Sequence, residues 1–392
     1  MSLSFLSKSA LHDSPLKLAA RLKLAGSYNV NLRLGKFEAT EKINHVGSFP
    51  WDFESEYDCS HLFYKLTRFG SSFTCAPDKS MKFEAKITLD SDEQQAAESK
   101  AETLDTKIIE RKIFENGGTY TKISKNGLIG HLFIPELERN EQVPGIMTIG
   151  GLGGPRLYRP SLLSTHKFVT FELEYHTTNG MRIAQDPYDL DYVEAGLDFL
   201  KSVDSVDASK IGTMGISRGG EIAMSAAKWL NHDHSIKAAV GVSSPVWNSC
   251  FGPHTYQNRV VVPGSQTIAN SRFLKNDRIF FKNMFLKNKD KKKLDSDKFE
   301  AIYEPNPNCF ALEKFHEIMG RESLAESWLK IDEIEAETLF IFGELDKNVP
   351  GRTCHEMVKS IASESVLYEK TGHIIDVPYR GGQSRGLSFC LI

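Results

Sequence analysis

No C-x-x-C pair occurs anywhere in this chain of 392 residues. Its six cysteines, Cys59, Cys75, Cys250, Cys309, Cys354 and Cys390, are scattered, which argues against a zinc or dithiol redox site. No secretory leader precedes them, so they are expected to be the reduced thiols of an intracellular protein. No run approaches the ~20 apolar residues that a membrane span requires. The net charge of −3 offers no electrostatic footprint for nucleic acid or an anionic membrane. No Gly-Lys-Ser/Thr follows the glycine cluster at Gly150–Gly154, against a phosphate-cradling loop, and Arg156 stands where a dinucleotide motif needs its last glycine. His355-Glu356 begins like a zinc helix, but Lys359 occupies the place of the second histidine. Neither a metal nor a cofactor is expected, and no internal repeat is visible. The remainder is ordinary: 40% hydrophobic and 25% charged residues suit a globular protein, and the length suits two domains.

The most informative segment is Gly215-Ile216-Ser217-Arg218-Gly219. Before it, Lys210 to Met214 reads as a short strand. After it, Ile222, Ala223, Ala226, Ala227 and Leu230 recur at helical spacing. A G-x-S-x-G between a strand and a helix is the nucleophile elbow of an α/β-hydrolase. The turn is so sharp that only glycine-sized neighbours at the flanking positions avoid a clash. It pushes the hydroxyl out of the sheet.

A serine nucleophile needs a base and an orienting acid, which in this fold follow it as acid, then histidine. Thr338 to Phe342 is a continuous apolar strand followed by Gly343-Glu344-Leu345-Asp346; Ser365 to Tyr368 is another, followed by Lys370-Thr371-Gly372-His373. Carboxyl ends of parallel strands are where an open α/β sheet gathers its chemistry. Asp346 is therefore expected to orient His373, and His373 to take the proton from Ser217. Glu344, two residues from Asp346, is the rival acid. For the oxyanion, the strand Gly145 to Ile149 runs into Gly150-Gly151-Leu152-Gly153-Gly154. Backbone N–H groups of Gly151 or Leu152, with that of Arg218, are the candidate donors; a merely flexible turn is the alternative.

Four segments together resemble the acyl-CoA thioesterase and bile acid-CoA:amino acid N-acyltransferase family: Gly150 to Leu163, Gly215 to Glu221, Phe342 to Asn348, and Thr371 to Tyr379. A weaker likeness at Asp13 to Leu18 is similar to the opening strand of that family's β-sandwich domain. The resemblance implies an N-terminal β-sandwich domain, here 1–106, and an α/β-hydrolase catalytic domain, 107–392. It places the family's triad on Ser217, Asp346 and His373, and it implies an acyl-CoA substrate. Conjugating members carry cysteine as nucleophile and hydrolysing members serine, so Ser217 favours thioester hydrolysis. Leu345 and Val349 depart from the family pattern beside the acid.

Tyr28 to Leu34 and Lys82 to Leu89 show period-two apolar spacing and read as half-buried strands. The acidic stretch Asp90 to Thr106 reads as the linker, with an α/β pattern beginning in a hairpin from Lys107. Strands are expected at Phe168 to Leu173 and Ile236 to Val242. A helix around Asp189 to Val203 carries a core stripe of Leu190, Val193, Leu197 and Leu200. Residues 243–337 lack periodicity and are expected to form a lid or acyl-pocket insertion. Its lysines, Lys287, Lys289 and Lys291 to Lys293, read as a solvated loop, with coenzyme A phosphates as the other partner. Met1 to His12 is serine-rich without acids, a thin targeting signal; cytosol is the default, with mitochondrion or peroxisome as alternatives. After His373 no helical pattern closes the sheet. That leaves open an inactive acyl-CoA- or partner-binding relative, beside a serine carboxylesterase and an N-acyltransferase. Oligomeric state is unreadable.

Overall fold

The computed structural model describes residues 2–6, 17–22, 26–34, 37–45, 55–59, 80–89, 103–112, 114, 117–151, 155–175, 188–231, 235–248, 253–264, 327–346, 349–373 and 375. They fall into two compact units, the first running through Asn116 and the second from Gly117 to Ile375.

The first unit contains two antiparallel sheets. One orders β1 (Ser2–Leu6), β2 (Lys17–Leu22) and β5 (Ser55–Asp58); the other orders β4 (Phe37–His45), β3 (Gly26–Leu34), β6 (Ser80–Leu89) and β7 (Thr103–Lys112). Alternation decides the buried face. Tyr28, Val30 and Leu32 of β3 and Phe83, Ala85 and Ile87 of β6 are buried, joined by Leu3, Leu18, Ala20 and Leu22 from the other sheet. The result is a β-sandwich. Two expectations are corrected. Ser2–Leu6 is a strand paired with β2, Ser2 against Arg21, so the sandwich begins before Asp13. Thr103–Lys112 pairs with β6, Lys86 against Thr106, so the segment read as linker already re-enters the sheet. Asp13 to Leu16 and residues 90–102 lie outside the described residues.

The second unit is built on one mixed eight-stranded sheet: β8 (Thr119–Lys125), β9 (Leu128–Ile134), β10 (Val143–Ile149), β11 (Val169–Leu173), β13 (Val206–Ile216), β14 (Ile236–Val242), β17 (Glu337–Gly343) and β18 (Glu364–Tyr368). Its spatial order is β8-β9-β11-β10-β13-β14-β17-β18. The six strands from β11 to β18 are parallel and β9 runs against them. This exchange of β10 and β11, with one antiparallel strand near one edge, is the α/β-hydrolase topology. The expected hairpin is β8–β9, joined at Asn126-Gly127, whose φ values are both positive; it begins at Thr119 rather than Lys107. Central β11 is buried along its whole length, as a strand covered on both faces should be.

Helices α1 (Tyr158–Thr165), α2 (Leu190–Lys201), α3 (Arg218–Trp229) and α4 (Gly351–Val358) pack on the sheet. Asp189 caps α2 by accepting the Asp191 N–H at 3.0 Å, leaving Leu190, Val193, Leu197 and Leu200 buried. Within the expected insertion, β15 (His254–Tyr256) pairs with the two-residue β12 (Tyr188–Asp189) and with β16 (Arg259–Val262). Residues 265–326, and with them the lysine cluster, lie outside the described residues. Among the described residues no helix is long and apolar enough to cross a membrane.

Candidate active site

Ser217 stands between the end of β13 and the start of α3 with φ 54 and ψ −125. For a residue with a side chain this is a strained conformation, and the surroundings enforce it. The Ser217 N–H donates to the Val242 carbonyl at 2.8 Å, and the Gly220 N–H donates to the Ser217 carbonyl at 3.0 Å. A Cβ on Gly215 would lie 2.0 Å from the Gly219 oxygen, and one on Gly219 would lie 2.1 Å from the Ile149 oxygen. No side chain fits at either position, so G-x-S-x-G is here a steric requirement of the turn.

Asp346 and His373 are brought together from the ends of β17 and β18. His373 Nδ1 lies 2.8 Å from Asp346 Oδ2, and both residues are buried. A carboxylate only accepts, so Nδ1 carries the proton and Nε2 is the acceptor nitrogen of the ring. The other carboxylate oxygen, Oδ1, accepts the Val349 N–H at 2.9 Å. Two backbone bonds tie the loops: the Glu344 N–H to the Tyr368 carbonyl at 3.0 Å and the Leu345 N–H to the Thr371 carbonyl at 2.8 Å. Leu345 and Val349, the departures from the family pattern, both take part in these bonds through their backbone N–H groups. Leu345 is exposed and Val349 is buried.

Glu344 faces elsewhere. Its carboxylate pairs with Arg352 and accepts the Lys370 N–H at 3.0 Å. That backbone bond, and then Arg352, hold its pKa below the usual glutamate value. Cys354 is buried near Asp346; burial first, and then the Asp346 charge, push its thiol well up, so it is no thiolate. His355 Nδ1 sits 2.8 Å from Ser365 Oγ. Among the described residues no group of His, Cys, Asp and Glu is placed to hold a metal ion.

Of the candidate oxyanion donors, Gly151 lies against the serine: a Cβ there would stand 3.2 Å from Ser217 Cβ and 3.8 Å from its Oγ. Arg218 opens α3, where the first N–H groups have no partner within the helix. Its side chain is buried, with the guanidinium 5.8 Å from the Tyr188 ring centre. Leu152, Gly153 and Gly154 lie outside the described residues.

Two buried polar clusters escaped the sequence reading. In one, His254 sits between Ser225 Oγ (2.7 Å to Nδ1) and Glu221 Oε1 (3.0 Å to Nε2), all three fully buried. In the other, Glu172 of β11 accepts from Thr148 Oγ1 at 2.5 Å. The only signal in the sequence was a carboxylate inside an otherwise buried run, which is rare without partners.

A family model described as BAAT / Acyl-CoA thioester hydrolase C terminal matches residues 188–387. The bile acid-CoA:amino acid N-acyltransferase of Mus musculus is 26% identical over 287 residues, covering 70% of this chain and 59% of that protein. Acyl-coenzyme A thioesterase 1 of Homo sapiens is 25% identical over 258 residues, covering 64% and 52%. The chain thus spans between about half and three-fifths of the length of these relatives. Among solved structures, a hyperthermophilic esterase from Pyrobaculum calidifontis has a TM-score of 0.38 at 14% identity, covering 66% of this chain and 77% of that one.

Proposed function

We propose that this chain, which belongs to the BAAT / acyl-CoA thioester hydrolase family, hydrolyses acyl-CoA to a free carboxylic acid and coenzyme A as a serine hydrolase. The observation that carries the proposal is the buried 2.8 Å contact between His373 and Asp346. Its two residues follow β17 and β18, as the strained Ser217 follows β13, at the carboxyl ends of parallel strands of one sheet. In this reading Ser217 Oγ attacks the thioester carbonyl while His373 Nε2 takes its proton. The thiolate of coenzyme A then leaves, protonated by His373. Gly151, or Leu152 beside it, and the Arg218 N–H stabilise the oxyanion. Water activated by His373 then cleaves the acyl-serine. The first unit serves as a separate domain in this reading, with the division near Asn116 rather than Thr106.

The N-acyltransferase named in one relative is the second reading, favoured by that likeness. Its chemistry requires an acyl-enzyme that outlives water. An oxygen ester on Ser217 beside an activating histidine is short-lived, which favours hydrolysis.

The test is turnover of acyl-CoA thioesters of graded chain length, with p-nitrophenyl esters and with glycine or taurine as acceptors. Hydrolysis that disappears in Ser217→Ala supports the proposal. Preferential ester cleavage points to a carboxylesterase, conjugation to a transferase. A folded chain with neither activity points to a binding protein.

A further inference from the structure

The glycine loop after β10 is gripped from behind by a carboxylate to which the chemistry above gives no part. Glu172 is 2% exposed, in a strand whose other members are Val169, Thr170, Phe171 and Leu173. A carboxylate at such a depth has to be compensated. Glu172 Oε2 accepts from Thr148 Oγ1 at 2.5 Å and Oε1 accepts the Arg156 N–H at 3.3 Å. Burial pushes the Glu172 pKa above the usual glutamate value, against the opposing pull of the Thr148 hydroxyl, the Arg156 N–H and the Arg159 charge. Gly150 and Arg156 are the two ends of one loop, and Gly151 within it abuts Ser217. The buried carboxyl group thus bonds to Thr148, just before the loop on β10, and to Arg156 at the loop's far end.

Arg159, on α1, joins this cluster to the other catalytic loop. Its Nη2 donates to the Ile375 carbonyl at 2.9 Å, two residues beyond His373. The cluster surrounds a cavity of about 10 Å³, lined by Thr148, Gly150, Arg156, Arg159, Glu172 and Ile216 among others, which is room for about one water. β10 and β11 pair in unbroken register from Gly145 with Val169 to Ile149 with Leu173, with Thr148 and Glu172 opposite each other. Well-packed apolar side chains hold a core as well as buried ionisable groups do. What the carboxylate and guanidinium add is a set of directional bonds to two loops.

We propose that Glu172 and Arg159 are positioning residues for the oxyanion loop and the histidine loop. Together they set the distances of Gly151 and His373 from Ser217. The inference rests on the serine-hydrolase reading, because it concerns how well that machinery is aligned.

A test independent of the acyl group uses the covalent labelling of Ser217 by a fluorophosphonate, followed by intact mass. Labelling requires nucleophile, base and oxyanion donors but no recognition of acyl-CoA. Misplacing a reacting group by an ångström costs about 10²-fold in rate. Glu172→Gln and Arg159→Met should therefore each label about 10²-fold more slowly than the parent. Arg159→Lys, which keeps the charge, should recover part of the rate, and the double variant should fall by less than the product of the two. Where turnover is measurable, kcat should carry the loss and KM should stay within about threefold. Glu172→Gln or Arg159→Met melting near the parent and labelling at the parent rate would overturn the proposal. If both fail to fold, Thr148→Val decides: it removes one bond to the carboxylate, and parent-rate labelling there overturns it equally. A parent that labels at Ser217 yet leaves acyl-CoA intact would sink the thioesterase reading alone. A parent that does not label there would sink both.

Discussion

Asp346 Oδ2 lies 2.8 Å from His373 Nδ1, and both side chains are buried, while Glu344, two residues earlier on the same turn, reaches out to Arg352 and the Lys370 N–H. If this contact orients the imidazole, Asp346→Asn should lower turnover by about 10⁴-fold, because the amide selects the wrong tautomer. Glu344→Gln should cost less than about tenfold, since it loses only an exposed ion pair. Steady-state rates of the two variants decide; a Glu344 variant more damaged than the Asp346 variant would reverse the assignment.

Ser217→Cys should slow hydrolysis and lengthen the life of the acyl-enzyme, since the intermediate becomes a thioester. With glycine or taurine present, part of the acyl group should appear as amide, read by mass spectrometry. Efficient conjugation by the unchanged serine enzyme would contradict the hydrolase reading.

Gly215→Ala should destabilise the second unit by about 3 kcal/mol or more, in the upper range of overpacking penalties. The new methyl would sit 2.0 Å from the Gly219 oxygen and 2.4 Å from the Gly220 nitrogen, both backbone atoms with little freedom to retreat. Urea unfolding measures this, and a parent-like midpoint would show that the elbow is not closed as described.

The network Ser225–His254–Glu221 joins α3, which carries the elbow, to β15. His254→Ala leaves the fully buried Glu221 carboxylate without its imidazole partner and should cost about 3 kcal/mol. Ser225→Ala removes one neutral contact and should cost about 1 kcal/mol. Equal losses in the two variants, measured by denaturant midpoints, would deny the carboxylate its special weight.

His131 gives a pH dependence. Its Nε2 lies 2.7 Å from Glu174 Oε1, and the Tyr120 hydroxyl is 2.9 Å from Nδ1. Burial is the largest influence and lowers its pKa below 6.5, against the opposing pull of Glu174. The folded protein therefore binds this proton less readily than the unfolded chain. The stabilising contribution is present above pH 6.5 and is lost as pH falls through the lowered folded value. Unfolding free energies at several pH values between 7.5 and 5 should fall for the parent and fall less for His131→Gln. Identical pH slopes for the two proteins would remove His131 from the account.

The sequence by itself determined what is local. Apolar runs such as Ile236 to Val242 and Thr338 to Phe342 became strands at those places. Helical spacing after Ser217 became α3, because the run had one period, and the glycines at 215 and 219 were readable because backbone closure at a single turn demands them. Ser217, Asp346 and His373 were each readable as residues that follow a strand, here β13, β17 and β18. Tertiary structure decided whatever depends on a partner far along the chain. Nothing local in Ser2–Leu6 shows that it will pair with Lys17–Leu22. The direction of one turn, set by backbone bonds to the Tyr368 and Thr371 carbonyls, separated Asp346 from Glu344. Thr148, buried with Glu172, and His254, buried with Glu221, come from elements tens of residues away. A buried carboxylate is recognisable in sequence only as an oddity. Its hydrogen-bond partners exist only after the chain has folded, and they alone give it a role.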